Sequence, residues 1–176
     1  MLFRSGPGNV VTNAGDLSIT ATGSISGAGV INAGTGNVTL VSYQSISLNQ
    51  VAGQVRGTKL DAQAFGTAPN GTVSANTSVD QLTALASGGS VIVNETDDLT
   101  VVANGLIAAT GGNIAVSAAG NITLAANVTG DDSAVVLLSS ANGNVSTTGG
   151  AAVFGSLLDV RAKKTSTLNK IGRAHV

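Results

Sequence analysis

The residues best suited to chemistry in this chain are its nine carboxylates: Asp16, Asp61, Asp80, Glu95, Asp97, Asp98, Asp131, Asp132 and Asp159. Asp80 and Asp98 lie 18 positions apart, so a chain returning on itself at about that interval would stack them near Asp97. Two carboxyls held side by side can share a proton, because both cannot ionise cheaply, or they can bind Ca²⁺. The plainer role is that of solvated turn residues that discourage edge pairing. Arg56 and Lys59 are the basic residues in the middle of the chain, and a substrate-binding cleft around them is a second chemical candidate. Arg161, Lys163 and Lys164 read as a solvated face.

Other chemistry finds little to work with. The chain has no Cys, which removes disulfides, thiolate metal sites and a Cys nucleophile. The pairs Asp97–Asp98 and Asp131–Asp132 match neither an EF-hand loop nor the Gly-Gly-x-Gly-x-Asp nonapeptide. "GSISGAG" does not sit between a strand and a helix, as a phosphate-binding loop would. Asn-x-Ser/Thr occurs at Asn37, Asn70, Asn76, Asn94, Asn121, Asn127 and Asn144. These triplets are either glycosylation acceptors or the by-product of a corner Asn, an inward aliphatic and an outward Thr or Ser. No catalytic, cofactor-binding or metal-ligating residue is assigned, no cofactor is expected, and the chain is not expected to be an enzyme.

The elements that would position these residues are written in a repeated phrase. "GNVTL" (Gly36–Leu40) returns as "GNITL" (Gly120–Leu124), with shorter echoes at Gly8, Gly15, Gly112 and Gly143. The leading apolar residues Leu17, Val38, Leu60, Leu82, Val101, Ile122 and Val145 follow one another at steps of 21, 22, 22, 19, 21 and 23. A period near 20 belongs to solenoids. Within the phrases apolar residues alternate, as in Leu17/Ile19, Val38/Leu40, Ile46/Leu48, Val91/Val93 and Ile114/Val116, which is the pattern of a strand with one buried face.

Composition agrees. Of 176 residues 24 are Gly, aromatics are 2% and charged residues 10%, against a hydrophobic fraction of 43%. Small β-branched side chains with many turn formers suit short strands around a narrow core. The formal charge of −1 offers no basic surface for nucleic acid, and no apolar run is long enough for a membrane helix. The expected fold is all-β: a parallel β-helix solenoid with about 20 residues per coil and about eight coils. Strands of three to five residues are expected. Gln50–Thr72, rich in long polar side chains and holding Phe65 and Pro69, reads as an irregular coil or loop. "VDQLTALAS" (Val79–Ser87) has a helical Leu82/Leu85 spacing, but its place in the period favours strand.

"GDLSITATGSISGAGVINAGTGNVTLVS" (Gly15–Ser42), "LTALASGGSVIVNETDDLTVVA" (Leu82–Ala103) and "GNITLAANVTGDDSAVVLLSSANGNVSTTGG" (Gly120–Gly150) resemble passenger regions of large bacterial surface proteins. The closest in style are the filamentous haemagglutinin-like exoproteins of two-partner secretion and related autotransporter adhesins. The likeness is one of composition and period, without a diagnostic signature. It implies a right-handed β-helix in a secreted or outer-surface fibre, a non-catalytic stalk or adhesin. Partners would be host-cell or matrix glycans or proteins, or neighbouring repeats of the same chain. The rival readings are a polysaccharide-active β-helix enzyme fragment and a tandem β-sandwich adhesin.

The two ends break the style of the rest. "KIGRAHV" (Lys170–Val176) is similar to a translated short-read sequencing adapter, and "MLFRS" (Met1–Ser5) to the translated reverse complement, with GTG taken as the start codon. Residues 1–5 and 171–176 are therefore expected to be adapter-derived. They enclose a single solenoid segment, 6–170, of a longer protein. On that reading His175, the one histidine, is no ligand or catalyst. Without Arg4 and Arg173 the basic residues number 8 − 2 = 6 against 9 acidic ones. A solenoid segment with open strand edges is expected to associate end to end.

Overall fold

The computed structural model describes residues 9–12, 14–169 and 171–172. Over these residues it is all-β with no helix, and every strand pairing among them is parallel. Stacked coils of about 22 residues make a β-solenoid of about seven turns, slightly longer and fewer than the sequence period suggests. A β-sandwich is excluded, since each strand pairs with its equivalent one coil later rather than with an antiparallel neighbour.

Three strand segments form each coil. In the first half these come from β1 (Val10–Val11), β2 (Leu17–Ala21), β3 (Ile25–Ser26), β4 (Ile31–Asn32), β5 (Asn37–Ser42), β6 (Ile46–Leu48), β7 (Val55–Ala64) and β8 (Val73–Ala86). The second half uses β9 (Val91–Glu95), β10 (Leu99–Ala108), β11 (Ile114–Ala118), β12 (Ile122–Leu124), β13 (Val128–Gly130), β14 (Val135–Ser140), β15 (Val145–Thr147), β16 (Val153–Phe154), β17 (Leu157–Ala162), β18 (Ser166–Thr167) and β19 (Ile171–Gly172). β5, β14 and β17 run to six residues, and β7, β8 and β10 to 10, 14 and 10 because each of these three runs through a corner and pairs on both sides of it. Val79–Ala86, with its helical leucine spacing, lies inside β8.

The inner columns follow the alternation. Leu17, Val38, Leu60, Leu82 and Val101 stack in register, and the last four are wholly buried. The column then continues to Leu124 and Thr147. Ile122 and Val145, the sequence anchors, sit two residues earlier and stack on Leu99 instead. Ile46, Val73, Val91, Ile114 and Val136 form a second inner column. Aliphatic side chains stacked at the strand spacing of about 4.8 Å leave little room for rings. No coil covers its inner face without a neighbour.

The segment 50–72 is less irregular than its composition suggests. β7 occupies its centre, in full register with β5 and β8, and the departures are the turns on either side. Gln54 is wholly buried there and fully bonded. Its amide nitrogen donates to the Gly27 and Gly29 carbonyls at 2.7 and 2.9 Å, and its oxygen accepts from the Gln50 amide at 3.0 Å.

The repeated phrase has a specific use. Asp98 Oδ1 accepts from the Asn121 amide at 2.6 Å, Asn121 Oδ1 from the Asn144 amide at 2.9 Å, and Asn144 Oδ1 from the Thr165 amide at 3.1 Å. Asp16 does the same for Asn37 at 2.8 Å. Each corner side chain thus satisfies a backbone donor of the next coil, one that the strand ladder leaves free. The Gly before the Asn is needed for closeness rather than for an unusual φ. A Cβ on Gly36 would lie 2.5 Å from the Gly15 oxygen, and one on Gly143 would lie 2.6 Å from Asn121 Oδ1. Replacing Asn121 with Ala removes an acceptor for Asn144 and a donor to Asp98, so a loss of about 1 kcal/mol is expected. Urea midpoints should show it, while exposed Asn142→Ala changes stability far less.

Met1–Ser5 and Arg173–Val176, with His175, lie outside the described residues. Ile171 and Gly172 form β19 and pair with Val153 and Phe154.

Candidate functional site

Four of the nine carboxylates are committed to structural partners. Asp16 and Asp98 are corner acceptors. Asp131 accepts from the Gly111 amide and from the amide and hydroxyl of Ser133, which hold it below the usual carboxylate range. Asp159 pairs with Arg161 at 2.7 Å on the surface, where solvent leaves such a pair little net effect. The expected stack of Asp80 on Asp98 does not form. The adjoining register sets Gln81 against Thr100, a step of 100 − 81 = 19 rather than 18, and Asp98 is committed to Asn121. Among the described residues no three His, Cys, Asp or Glu side chains gather as a metal site would need.

The carboxylate drawn into the core is Glu95. Glu95 ends β9 on the inward phase of "VIVNE", at 5% exposure. Its Oε2 accepts from the Val79 amide at 3.1 Å and its Oε1 from the Thr96 amide at 2.7 Å. Burial lifts its pKa to about 7. The Thr77 hydroxyl and the two amides pull the other way, and Asp97 adds to the rise. Glu95 sits where the coil changes its plan: the face carried by Ile31, Val55 and Thr77 ends there, and the next face is divided between Thr100–Val101 and Leu106–Ala108.

That change of plan also builds a cleft. One residue, Thr83, separates Leu82 from Ala84 on β8, but four separate their partners Val101 and Leu106 on β10. The extra residues bulge outward, with Asn104 and Gly105 at φ 77° and 66°. Asn and Gly tolerate this left-handed region. A Cβ on Gly105 would run into the Asn127 carbonyl. Beside the bulge lies a cleft of about 300 Å³. Its polar lining is Asp61, Gln63, Thr83 and Asn104, and its apolar lining includes Leu85 and Ile107. Gln63 Nε2 donates to Asp61 Oδ1 at 3.0 Å. Thr83 is 2% exposed, and its Oγ1 is a buried side-chain polar atom with no hydrogen-bond partner.

Register explains the grouping. Asp61 and Thr83 are lateral neighbours, as are Gln63, Leu85 and Ile107, all on the outer phase of one face. Phe65 follows Gln63 by two residues and meets Tyr43, their ring centroids 6.0 Å apart. Both rings are open to solvent, at 59% for Tyr43 and 41% for Phe65. Arg56 and Lys59, the basic residues singled out for a cleft, do not line this one. Arg56 Nε is used on the Gly53 carbonyl at 2.8 Å. The cleft draws on the same polar segment through Asp61 and Gln63. With one carboxylate, two amides and a hydroxyl over an aliphatic floor, it can hydrogen-bond and pack against a ligand.

Several sequon amides are already committed. Asn37 and Asn121 donate to Asp16 and Asp98, Asn76 to the Asn49 carbonyl, and Asn94 to Asn76. Attaching a sugar there would break those bonds.

No protein-family model, no curated protein and no solved structure matches this chain.

Proposed function

We propose that this chain is a structural and adhesive segment of a large secreted bacterial surface protein, a stalk or adhesin passenger without catalytic activity. The observation that carries the reading is the plainness of the outer ladders on a continuous coil stack. Thr100, Thr123, Ser146 and Thr167 form one such row, and Ser26, Ser47 and Ser74 another. Such rows keep the surface wet while the strand backbones pair from coil to coil. The resemblance to filamentous haemagglutinin-like passengers supports the same role, with secretion to the outer surface and host-cell or matrix glycans or proteins as partners. The cleft holds a single carboxylate, whereas most glycoside-cleaving sites use two.

Within the described residues β1, β2 and β3 each have one hydrogen-bonded neighbour, as do β17, β18 and β19. Open edges of this kind favour coil-on-coil continuation.

The test uses the whole chain coupled to beads, applied to cultured epithelial cells and to fibronectin-coated and collagen-coated wells, with plant and bacterial polysaccharides assayed for new reducing ends. Retention of beads above an albumin control with no reducing-end release is the expected result. Release of reducing ends by the purified chain, or no retention on any surface, overturns the reading.

A further inference from the structure

We infer that the cleft beside the β10 bulge is a binding site for a short neutral saccharide, with Asp61, Gln63, Thr83 and Asn104 taking its hydroxyls and Leu85 and Ile107 its C–H face. This rests on the adhesin reading and gives it a location. The Thr83 hydroxyl carries the argument furthest. A buried hydroxyl without a partner is unfavourable, and native interiors rarely keep one. Thr83 lies in the cleft wall, so a ligand hydroxyl seated there supplies the partner that the coil does not.

The chemistry of the lining selects the ligand class. A sugar ring is polar at its rim and apolar on its faces. The cleft offers the matching division: carboxylate, amide and hydroxyl groups on one part, and leucine and isoleucine on the other. Asp61 is its one charged group, and no Lys or Arg lines it, which disfavours phosphate, sulfate and acidic sugars. A volume of about 300 Å³ is at the small end for ligand sites and suits one or two sugar rings.

The aromatic pair extends the site. Phe65 is the next outer-phase residue after Gln63 along the same chain, roughly 7 Å further on at the rise of a strand. Exposed rings are scarce in a protein with 2% aromatics, and here two of them meet just past the ends of β5 and β7, beyond Gln63 of the cleft. Their faces offer a flat apolar surface to a second or third sugar ring of an oligosaccharide lying along the strand.

The experiment is saturation-transfer NMR on the full chain with maltotriose, cellotriose and N,N′,N″-triacetylchitotriose, followed by titration of the best binder. At least one should bind, in roughly the millimolar range expected of a small open site. Asp61→Asn should weaken it by about tenfold, Thr83→Val by several-fold, and Phe65→Ala should remove transfer to the terminal sugar. Thr83→Val deletes only an unpartnered hydroxyl, so its melting temperature should equal or exceed that of the parent, which separates a lost contact from a lost fold. Binding unchanged by both Asp61→Asn and Thr83→Val, or no transfer from any of the three sugars, overturns the site. The adhesin reading is then judged separately: beads that still adhere leave it standing with another surface responsible, and beads that do not adhere remove both.

Discussion

Replacing Leu82 with Ala is expected to destabilise the protein by about 3 kcal/mol, more than any exposed substitution. Leu82 is wholly buried and stands at the centre of the inner column, with Leu60 on one side and Val101 on the other. A cavity there faces two coil interfaces at once. In a stack whose stability is a sum of neighbour interfaces, weakening two of them divides the solenoid rather than fraying one end. Leu168, half-buried in the last described coil, is the comparison: its change to Ala should cost under about 1 kcal/mol. Urea denaturation of both variants decides the matter. Equal midpoints for the two would mean that the column is not continuous.

The second large effect is a dependence of stability on pH. The folded protein holds the Glu95 proton up to about pH 7, whereas the unfolded chain releases it near 4.5. Between those values the native state binds more protons, so stability falls as pH rises from about 4.5 through 7 and levels off above. The loss should be on the order of 2 kcal/mol after allowance for partial screening by solvent. Asp131 acts in the opposite sense and at lower pH. Its lowered pKa gives stability that is complete above the ordinary carboxylate value of 3.8 and is lost in stronger acid. Asp131 therefore adds no slope between pH 5 and 8. The variant Glu95→Gln keeps one carbonyl oxygen for the Val79 or Thr96 amide and has no proton to lose. It should be slightly less stable than the parent at pH 5, more stable at pH 8, and flat between. A parent protein with the same urea midpoint at both pH values would contradict the buried placement of Glu95.

The parts of the fold that depend on local pattern were legible. Alternation of small aliphatics located the strands, and the repeat of the phrase placed Leu17, Val38, Leu60, Leu82 and Val101 in one column. The column went astray at Ile122 because the bulge in β10 lengthens one coil and divides its face, which shifts the equivalent inner position to Leu124. Nothing in "VVANGLIA" announces a bulge except Asn104 and Gly105, a pair that tolerates left-handed φ and that also occurs in ordinary turns. By its type alone, the Gly of the repeated phrase looks like an ordinary turn former. Its real constraint, the closeness of the previous coil, is lateral and has no local signature.

The candidate site was legible only in part. Glu95 was one acid among nine, inside a stretch that reads as a polar turn. The parity of "VIVNE" was the available signal, since Val91, Val93 and Glu95 share the inward phase. The cleft could not be read locally, because Asp61 and Asn104 are 43 positions apart and meet only through the register of three coils and the bulge. The same length of chain, "KLDAQAF", looked irregular because its outer-phase residues are long and polar. Those residues line one side of the cleft or lead to it.

The coil stack is the claim on which the remaining arguments stand, and a paired-cysteine measurement tests it most directly. The parent has no Cys, so an introduced pair has no background. Ser117 and Ser139 are register partners on β11 and β14, at a lateral spacing that a disulfide can bridge. Ala115 and Ser139 are offset by two residues along the strand, which puts their Cα atoms roughly 8 Å apart and out of reach. The account predicts rapid intramolecular oxidation of the Ser117→Cys/Ser139→Cys variant and none of the Ala115→Cys/Ser139→Cys variant. Oxidation of the offset pair in preference to the register pair would contradict the solenoid.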